Sequence, residues 1–453
     1  MQRTLTYILT KNKSKHDFDL MKELCHKSKN LYNYVNYIVR QAFTKHPENI
    51  QEFADLIQNE RFISEYSISN RLCKLNQIDY RSLKAQSAQQ VVKQVFKNHK
   101  AFFKVIQSYK KNKSKFRGCP KLPSYKGKNG MNVIQFTNQS ASFDKHGYLK
   151  LDKKTTIKSV KIPCENIKNF QQVRIVPKNG YFQIEVVVNK NEKGEYIEKA
   201  KESNKKTTNL GIDIGVDNLA TITSDNPILQ PIIVNGRCLK SINQFFNKQS
   251  AKIKGAYSKQ NLKTGKSIQN LNRKRTMKIK DYFHKASRRI VDYCILNNVK
   301  CVYIGHNDGW KQESNMKKQN NQAFVFIPFN QFISQLQYKL DEVGIEMKLV
   351  NEAYTSKCSA LDNESIEFHE KYSGRRVKRG LYKNKSGRMI NADVNGSLNI
   401  LRFGLKSDFE IGNKFNPMKI KEINDISFDW KSVDRGCVFQ PYNIHSNIIK
   451  EFQ

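Results

Sequence analysis

The sequence predicts an α+β chain of several domains, and three observations carry that reading. The chain has 453 residues, which at about 150 per domain gives roughly three units. Its apolar spacing changes character twice: helical to about residue 115, strand-like from 131 to 190, then alternating strands and helices from 209. An apolar fraction of 38% with 11% aromatics supplies real cores in spite of the charge.

That charge is the strongest compositional signal. Lys and Arg number 80 against 40 Asp and Glu, a formal net charge of 80 − 40 = +40. A chain so basic repels itself unless a polyanion lies beside it, which argues against an ordinary metabolic enzyme and for a nucleic-acid binder.

Taken in order, Thr4 to Thr10 reads as a short strand, and 15–115 as helices. Leu20, Leu24, Leu31, Val35, Ile38 and Ala42 recur at helical spacing, as do Val91, Val92, Val95 and Phe96 further on. Tyr32, Tyr34 and Tyr37 lie among Lys27, Lys29 and Arg40, either as core residues or as stacking residues for single-stranded nucleic acid. Residues 110–130, KKNKSKFRGCPKLPSYKGKNG, hold no acid and read as a boundary or an exposed nucleic-acid-contacting loop. Val173–Val176 and Tyr181–Val186 flank Pro177-Lys178-Asn179-Gly180, a hairpin signal. A polar linker covers 190–208.

From 209 the pattern gives strands at Leu210–Ile214, Leu219–Thr223 and Ile232–Val234, then a long basic helical stretch over about 239–297. Lys300–Ile304 is a strand, Gln331–Val343 a helix, Ile345–Val350 a strand and Asp393–Arg402 a helix. Three antiparallel strands followed by alternating helices and strands is the element order of a ribonuclease-H-like sheet. The tail after 405 is weakly patterned and receives no function.

The nine cysteines are odd in number, scattered, and contain no CxxC pair, so they point to a soluble protein of a reducing compartment, expected in the cytoplasm. No stretch approaches a membrane span, and no signal peptide is expected at the start.

Three acids stand out. Asp213 sits in Gly211-Ile212-Asp213-Ile214-Gly215 near a strand end, where a carboxylate is costly unless it meets a cation or solvent. Glu352 follows the strand ending at Val350, and Asp393 opens the last helix. Hard divalent cations want oxygen ligands, and two-metal phosphodiester hydrolysis needs several carboxylates at one sheet edge. Taken singly, each acid has a plainer reading: Asp393 as a helix N-cap, Glu352 as a solvated loop residue, and the Asp213 strand end as part of a kinase-like phosphate hairpin.

Several blocks together make the pattern specific: LPSYKGKNG (122–130), VIQFTNQSA (133–141), GIDIGVDNLATITSDN (211–226), DYFHKASRRIVDYC (281–294), IGHNDGWKQ (304–312), NNQAFVFIPFNQFISQLQYK (320–339), EAYTSKCSALD (352–362) and NADVNGSLNI (391–400). Over about residues 1–402 the chain resembles the TnpB (OrfB) family, encoded by insertion sequences and related to compact type V CRISPR effectors. The resemblance implies an RNA-guided, Mg²⁺-dependent DNA endonuclease, with two ions held by Asp213, Glu352 and Asp393. It implies a helical recognition domain (15–115), a β-barrel wedge domain (1–14 and 116–205) and a RuvC nuclease domain (206–404). A guide RNA from the element end and a double-stranded DNA target with a short flanking motif are the implied partners, a division of labour that suits a basic chain.

Two departures from that family stand in the sequence. The usual second acid, at the end of the fourth RuvC strand, is replaced by Gly305, and Glu352 fits a displaced acid, with Asp308 as a competitor. The paired cysteines of a zinc ribbon are missing: Cys358 has only His369 nearby, so no zinc is expected and 353–391 is expected to be a basic loop holding nucleic acid through residues such as Arg375, Arg376 and Arg379. Arg288 and Arg289 are expected as backbone contacts or as a charged helix face, and Trp310 as a packing residue. A nuclease-deficient guided DNA-binding repressor and a DNA-binding accessory to transposition are the alternative functions.

Overall fold

The computed structural model describes residues 2–44, 46, 51–59, 63–151, 155–164, 167–189, 206–306, 326–411 and 418–419. They fall into two compact units, one within residues 2–189 and one within 206–419. Asp308, Trp310 and nearly all of the tail lie outside the described residues.

In the first unit β1 (Gln2–Leu9) leads into the long α1 (Lys15–Thr44), followed by α2 (Ala54–Asn59), α3 (Glu65–Lys74), α4 (Ile78–Arg81) and α5 (Ala85–Lys111). Strands β2 (Ile134–Thr137), β3 (Ser142–Phe143), β4 (Tyr148–Lys150), β5 (Thr156–Lys161), β6 (Phe170–Lys178) and β7 (Tyr181–Asn189) complete it. The β6–β7 hairpin forms where Asn-Gly predicts it, with Lys178 opposite Tyr181 and Gly180 at φ 83°.

The expected closed barrel is a correction. Among the described residues the strands make an open four-stranded sheet, ordered β1-β7-β6-β2, and a separate three-stranded meander, β3-β4-β5. Four strands are too few to curl into a closed wall. The open sheet is covered by helices instead: Met21, Cys25 and Val35 of α1 and Val91 and Val95 of α5 share one core with Leu5, Ile134, Val173 and Ile184.

The basic segment 110–130 is mostly irregular and exposed past the end of α5, as expected, and side chains of α1 anchor it. Lys29 Nζ donates to Lys128 O (2.9 Å), Asn33 Nδ2 to Lys126 O (2.8 Å), Asn36 Nδ2 to Pro123 O (3.1 Å) and Arg40 Nη1 to Pro123 O (3.3 Å). Side chains of α1 thus satisfy the backbone of an irregular segment. Tyr32 is buried with Lys126 over its ring at 4.7 Å, and Tyr34 and Tyr37 pack against the core, so these three tyrosines are structural.

The second unit follows the predicted element order. Its elements are β8 (Thr208–Asp213), β9 (Asn218–Ser224), β10 (Ile232–Asn235), α6 (Arg237–Lys259), α7 (Lys266–Leu296), β11 (Val299–Gly305), α8 (Phe329–Glu342) and β12 (Glu346–Val350). Then come β13 (Arg375–Lys378), β14 (Leu381–Lys383), β15 (Met389–Asn391), α9 (Ala392–Leu405) and β16 (Met418–Lys419). The main sheet runs β12-β11-β8-β9-β10-β16. β12, β11 and β8 are mutually parallel, whereas β8, β9 and β10 are antiparallel neighbours. The long basic stretch is two helices, broken at 260–265, where Asn261 takes φ 54°.

Residues 375–391, expected as part of a loop, form the three-stranded sheet β13-β14-β15. Acids brace it. Asp362 accepts from Ser359 Oγ (2.6 Å), Asn384 Nδ2 (2.9 Å) and Lys385 N (3.0 Å), and Glu364 accepts from Ser359 N and Ser373 N (both 2.7 Å). Buried Tyr382 donates to Lys357 O (2.7 Å). Cys358 is buried with its thiol towards Glu367 O (3.7 Å), while His369 Nε2 meets Ser365 O (2.9 Å).

Candidate active site

Parallel strands present their carboxyl ends together, and that edge is where an α/β sheet offers its backbone-free space to a ligand. Here Ile304 of β11 pairs with Ile212 of β8, and Gly305 of β11 pairs with Val350 of β12. Asp213, Gly305 and the chain leaving Val350 therefore emerge side by side.

Helix α9 brings the third acid. It lies directly on β8, where the absence of a side chain at Gly211 admits it: a Cβ there would stand 2.4 Å from Ser397 O and 2.8 Å from Leu401 Cβ. Ser397 Oγ, with one proton to share, lies 2.9 Å from Gly211 O and 3.0 Å from Thr221 O, fixing the helix against two strands. The N-cap of α9 is Asn391, whose side chain accepts from the backbone of Asp393 (2.9 Å) and Val394 (3.2 Å). Asp393 is thus released from the capping role that its position allowed. Its carboxylate accepts from Asn218 Nδ2 (2.7 Å) and faces Arg376 at 3.5 Å.

Glu352 sits in a turn fixed at several points. Asn351 Oδ1 accepts from Ala353 N (2.8 Å), and Glu352 O accepts from Thr355 N (3.2 Å) and Thr355 Oγ1 (2.8 Å). Asn399 and Asn395 of α9 then hold the following chain, donating to Thr355 O and Cys358 O at 2.8 Å. The carboxylate lies over Gly305: a Cβ built there would be 3.1 Å from Glu352 Oε2. The same construction on Gly396 of α9 meets Asp213 Oδ2 at 3.0 Å.

The electrostatics couple the three acids. The Asp213 pKa is pushed up to about 8, first by loss of water and then by the charges of Asp393 and Glu352, with Arg376 opposing. Desolvation also raises Glu352, and His306 partly offsets it. The donor set is all carboxylate oxygen, repelling itself and partly desolvated, which fits a hard divalent cation. As the side chains stand, no three His, Cys, Asp or Glu groups among the described residues close to ligating distance of one point. Asp393 is instead held by Asn218 and Arg376.

The basic residues divide. Arg376 and Arg379, on the β13–β14 hairpin, reach the site's rim: Arg376 faces Asp393, and Arg379 pairs with Asp217 at 2.6 Å, beside Lys240 on the other oxygen of Asp217 at 3.1 Å. Arg375 is exposed on the same strand. Arg288 pairs with Asp292 one turn along α7 at 2.8 Å, and Arg289 is partly buried on that helix. Sequence reasoning missed Asn218, Asn391, Asn395 and Asn399. The last three share one signal, the Asn-rich NADVNGSLN (391–399), while Asn218, in GVDNLA, carries none.

Residues 183–311 match the OrfB_IS605 family model, described as a probable transposase, and residues 329–400 match the Cas12f1-like TNB domain. The chain is TnpB-like. No curated protein was found to match it. Among solved structures, this TnpB-like chain is similar to one titled as a Cas12f1–sgRNA–target DNA complex, at 16% identity and TM-score 0.34 over 88% of this chain and 99% of that one. It is also similar to a CRISPR–Cas12f ternary complex, at 15% identity and TM-score 0.33 over 84% and 81% of the two chains. A third likeness is to an AacC2c1–sgRNA binary complex, at 9% identity and TM-score 0.32 over 87% and 71%. These structural likenesses are distant, and the site rests on its own geometry. No helix among the described residues is long and apolar enough to cross a membrane.

Proposed function

We propose that this TnpB-like protein is an RNA-guided, Mg²⁺-dependent DNA endonuclease whose catalytic acids are Asp213, Glu352 and Asp393. The observation that carries the reading is the convergence of these acids at the carboxyl ends of β8, β11 and β12, where burial first, and then the charges of Asp393 and Glu352, push the Asp213 carboxyl up. Carboxylates gathered at one sheet edge repel one another, and a cation relieves that repulsion.

Divalent ions bound there would stabilise the charge that develops on a scissile phosphate. The chain's own residues do the rest. Asn218 and the Asn391 cap fix Asp393 at the mouth of α9. Asn395 and Asn399 fix the turn carrying Glu352. Arg375, Arg376 and Arg379 line a rim able to hold a phosphodiester backbone against the acids. Arg288 and Arg289 add positive charge on α7. The net charge of +40 suits a channel for guide RNA and for a DNA duplex bearing a short flanking motif.

The test is to co-express the protein with its native element end and assay cutting of a guide-matched plasmid with and without Mg²⁺. Mg²⁺-dependent cutting that Asp213→Ala abolishes supports the reading. Guided binding without cutting would replace it with a nuclease-deficient DNA binder, and specific DNA binding without any RNA would point to an accessory of transposition.

A further inference from the structure

The outer half of α5 runs clear of its own core. Its buried residues, Ser87, Ala88, Val91, Val92, Val95 and His99, belong to the first four turns or so, whereas Ala101–Lys111 contains no buried residue. Apolar spacing nevertheless continues through Phe102, Ile106 and Tyr109. Phe43 at the end of α1 joins this stretch. Its ring lies 5.2 Å from Phe103 and 6.5 Å from Phe102, and those two lie 5.4 Å from each other. Phe43 is 48% exposed, Phe103 36% and the nearby Val105 41%. An uncovered aromatic cluster of this kind marks a contact surface.

Charge chooses the partner. Between Asp79 and Asp144 the sequence carries fourteen Lys and Arg and not one acid. Lys97, Lys100 and Lys104 are exposed on α5 around the aromatic cluster. A second copy of the chain would set two such surfaces against each other and is opposed by repulsion. A partner offering both π-faces and phosphates is unpaired nucleic acid, since its bases stack on aromatic rings while lysines follow its backbone. Leaving such a patch bare on a chain of +40 is unfavourable, which suits a partner that stays bound rather than one met only at a target.

We propose that Phe43, Phe102 and Phe103 form a stacking platform for unpaired bases of RNA, with Lys97, Lys100 and Lys104 holding its phosphates. This rests on the proposed reading only for the presence of an RNA partner, and it adds a site that the nuclease centre does not need.

The test uses full-length protein carrying Asp213→Asn, so that cleavage cannot intervene. Fluorescence anisotropy compares labelled oligo(U), oligo(dT) and duplex RNA, each about 20 nucleotides long. Phe43→Ala and Phe103→Ala should each weaken oligo(U) binding by roughly 5- to 100-fold without changing its salt slope, because the stacking surface is removed while the phosphates stay neutralised. Phe103→Leu keeps the apolar bulk and should bind like the alanine variant, whereas Phe103→Trp should retain affinity. Lys100→Gln with Lys104→Gln should lower the salt slope by about 0.7 for each phosphate no longer neutralised.

Unchanged oligo(U) affinity in folded alanine variants would overturn the proposal, as would a loss larger for oligo(dT) than for oligo(U). Sedimentation velocity supplies a further check: a wild-type dimer abolished by Phe103→Ala, with RNA affinity intact, would make the patch an interface between copies instead. Failure of the nuclease reading shows as absent plasmid cutting by the wild type and leaves these binding results untouched.

Discussion

Glu352 and Gly305 share one volume. A Cβ on Gly305 would lie 3.1 Å from Glu352 Oε2 and 2.6 Å from Ile400 Cδ1, so the glutamate carboxylate fills the space that a side chain on β11 would enter. Glu352→Gln should therefore cut plasmid cleavage by roughly 10- to 100-fold while leaving guide binding intact. Gly305→Glu alone should also lower cleavage, because it crowds a second carboxylate into the same place. Combining Gly305→Glu with Glu352→Ala should recover part of the activity, since the tip of Ile400 can rotate aside. A double variant no better than either single one would show that the two positions do not substitute for each other.

Asp213 makes stability depend on pH with a definite sign. Its folded pKa is about 8, above the usual carboxylate value, so the folded protein holds a proton that the unfolded chain releases. Without divalent cation, its contribution is fully present at pH below about 4 and is lost as pH rises through about 8. Thermal melts in chelator should therefore show Asp213→Asn gaining on the wild type as pH rises from 5 to 8.5. Mg²⁺ must displace that proton, so its stabilising effect on the wild type should grow over the same range. Equal Mg²⁺ stabilisation at both ends of the range would remove Asp213 from the metal site.

The order of strands and helices from 209 onward was legible because each element carries its own apolar period, and boundaries agree to within a few residues. Asp213 stood out because an acid inside an apolar run has few structural reasons to be there, whereas Asp393 stood out only as the acid opening the last helix. What failed to show in the sequence depends on long-range pairing. Whether β1 and β2 meet to close a barrel is not written in either strand. That residues 375–391 form a sheet depends on contacts from outside it, such as Asp362 with Asn384 and Lys385 and Tyr382 with Lys357. The roles of the aromatics stayed open for a similar reason: Tyr32 and Phe103 carry the same helical spacing, and only long-range contacts, such as Asn98 and Lys126 against Tyr32, separate them.

Gly211 tests how α9 delivers Asp393. Its Cβ would meet Ser397 O at 2.4 Å, a backbone atom that cannot turn aside, and Leu401 Cβ at 2.8 Å. Gly211→Ala should push α9 off β8 and destabilise the second unit by roughly 1–3 kcal/mol, visible as a lower urea midpoint. Cleavage should fall further than stability does, because a shift of the helix moves Asp393 relative to Asp213. Unchanged cleavage in the folded variant would mean that helix placement tolerates such a shift.

Arg376 and Arg379 separate holding a fold from holding a substrate. Both pairs, with Asp393 and with Asp217, are largely exposed, and exposed ion pairs contribute about 0–1 kcal/mol. Arg376→Gln and Arg379→Gln should leave the urea midpoint nearly unchanged. If the β13–β14 hairpin grips a phosphodiester backbone, each variant should lower the salt slope of DNA binding by up to about 0.9, the share of one neutralised phosphate. Arg376→Gln should also slow cutting at saturating DNA, because its guanidinium stands beside Asp393, whereas Arg379→Gln should act on binding alone. A loss of cutting by Arg379→Gln that excess DNA cannot rescue would place both arginines, and with them the whole hairpin edge, at the reacting phosphate.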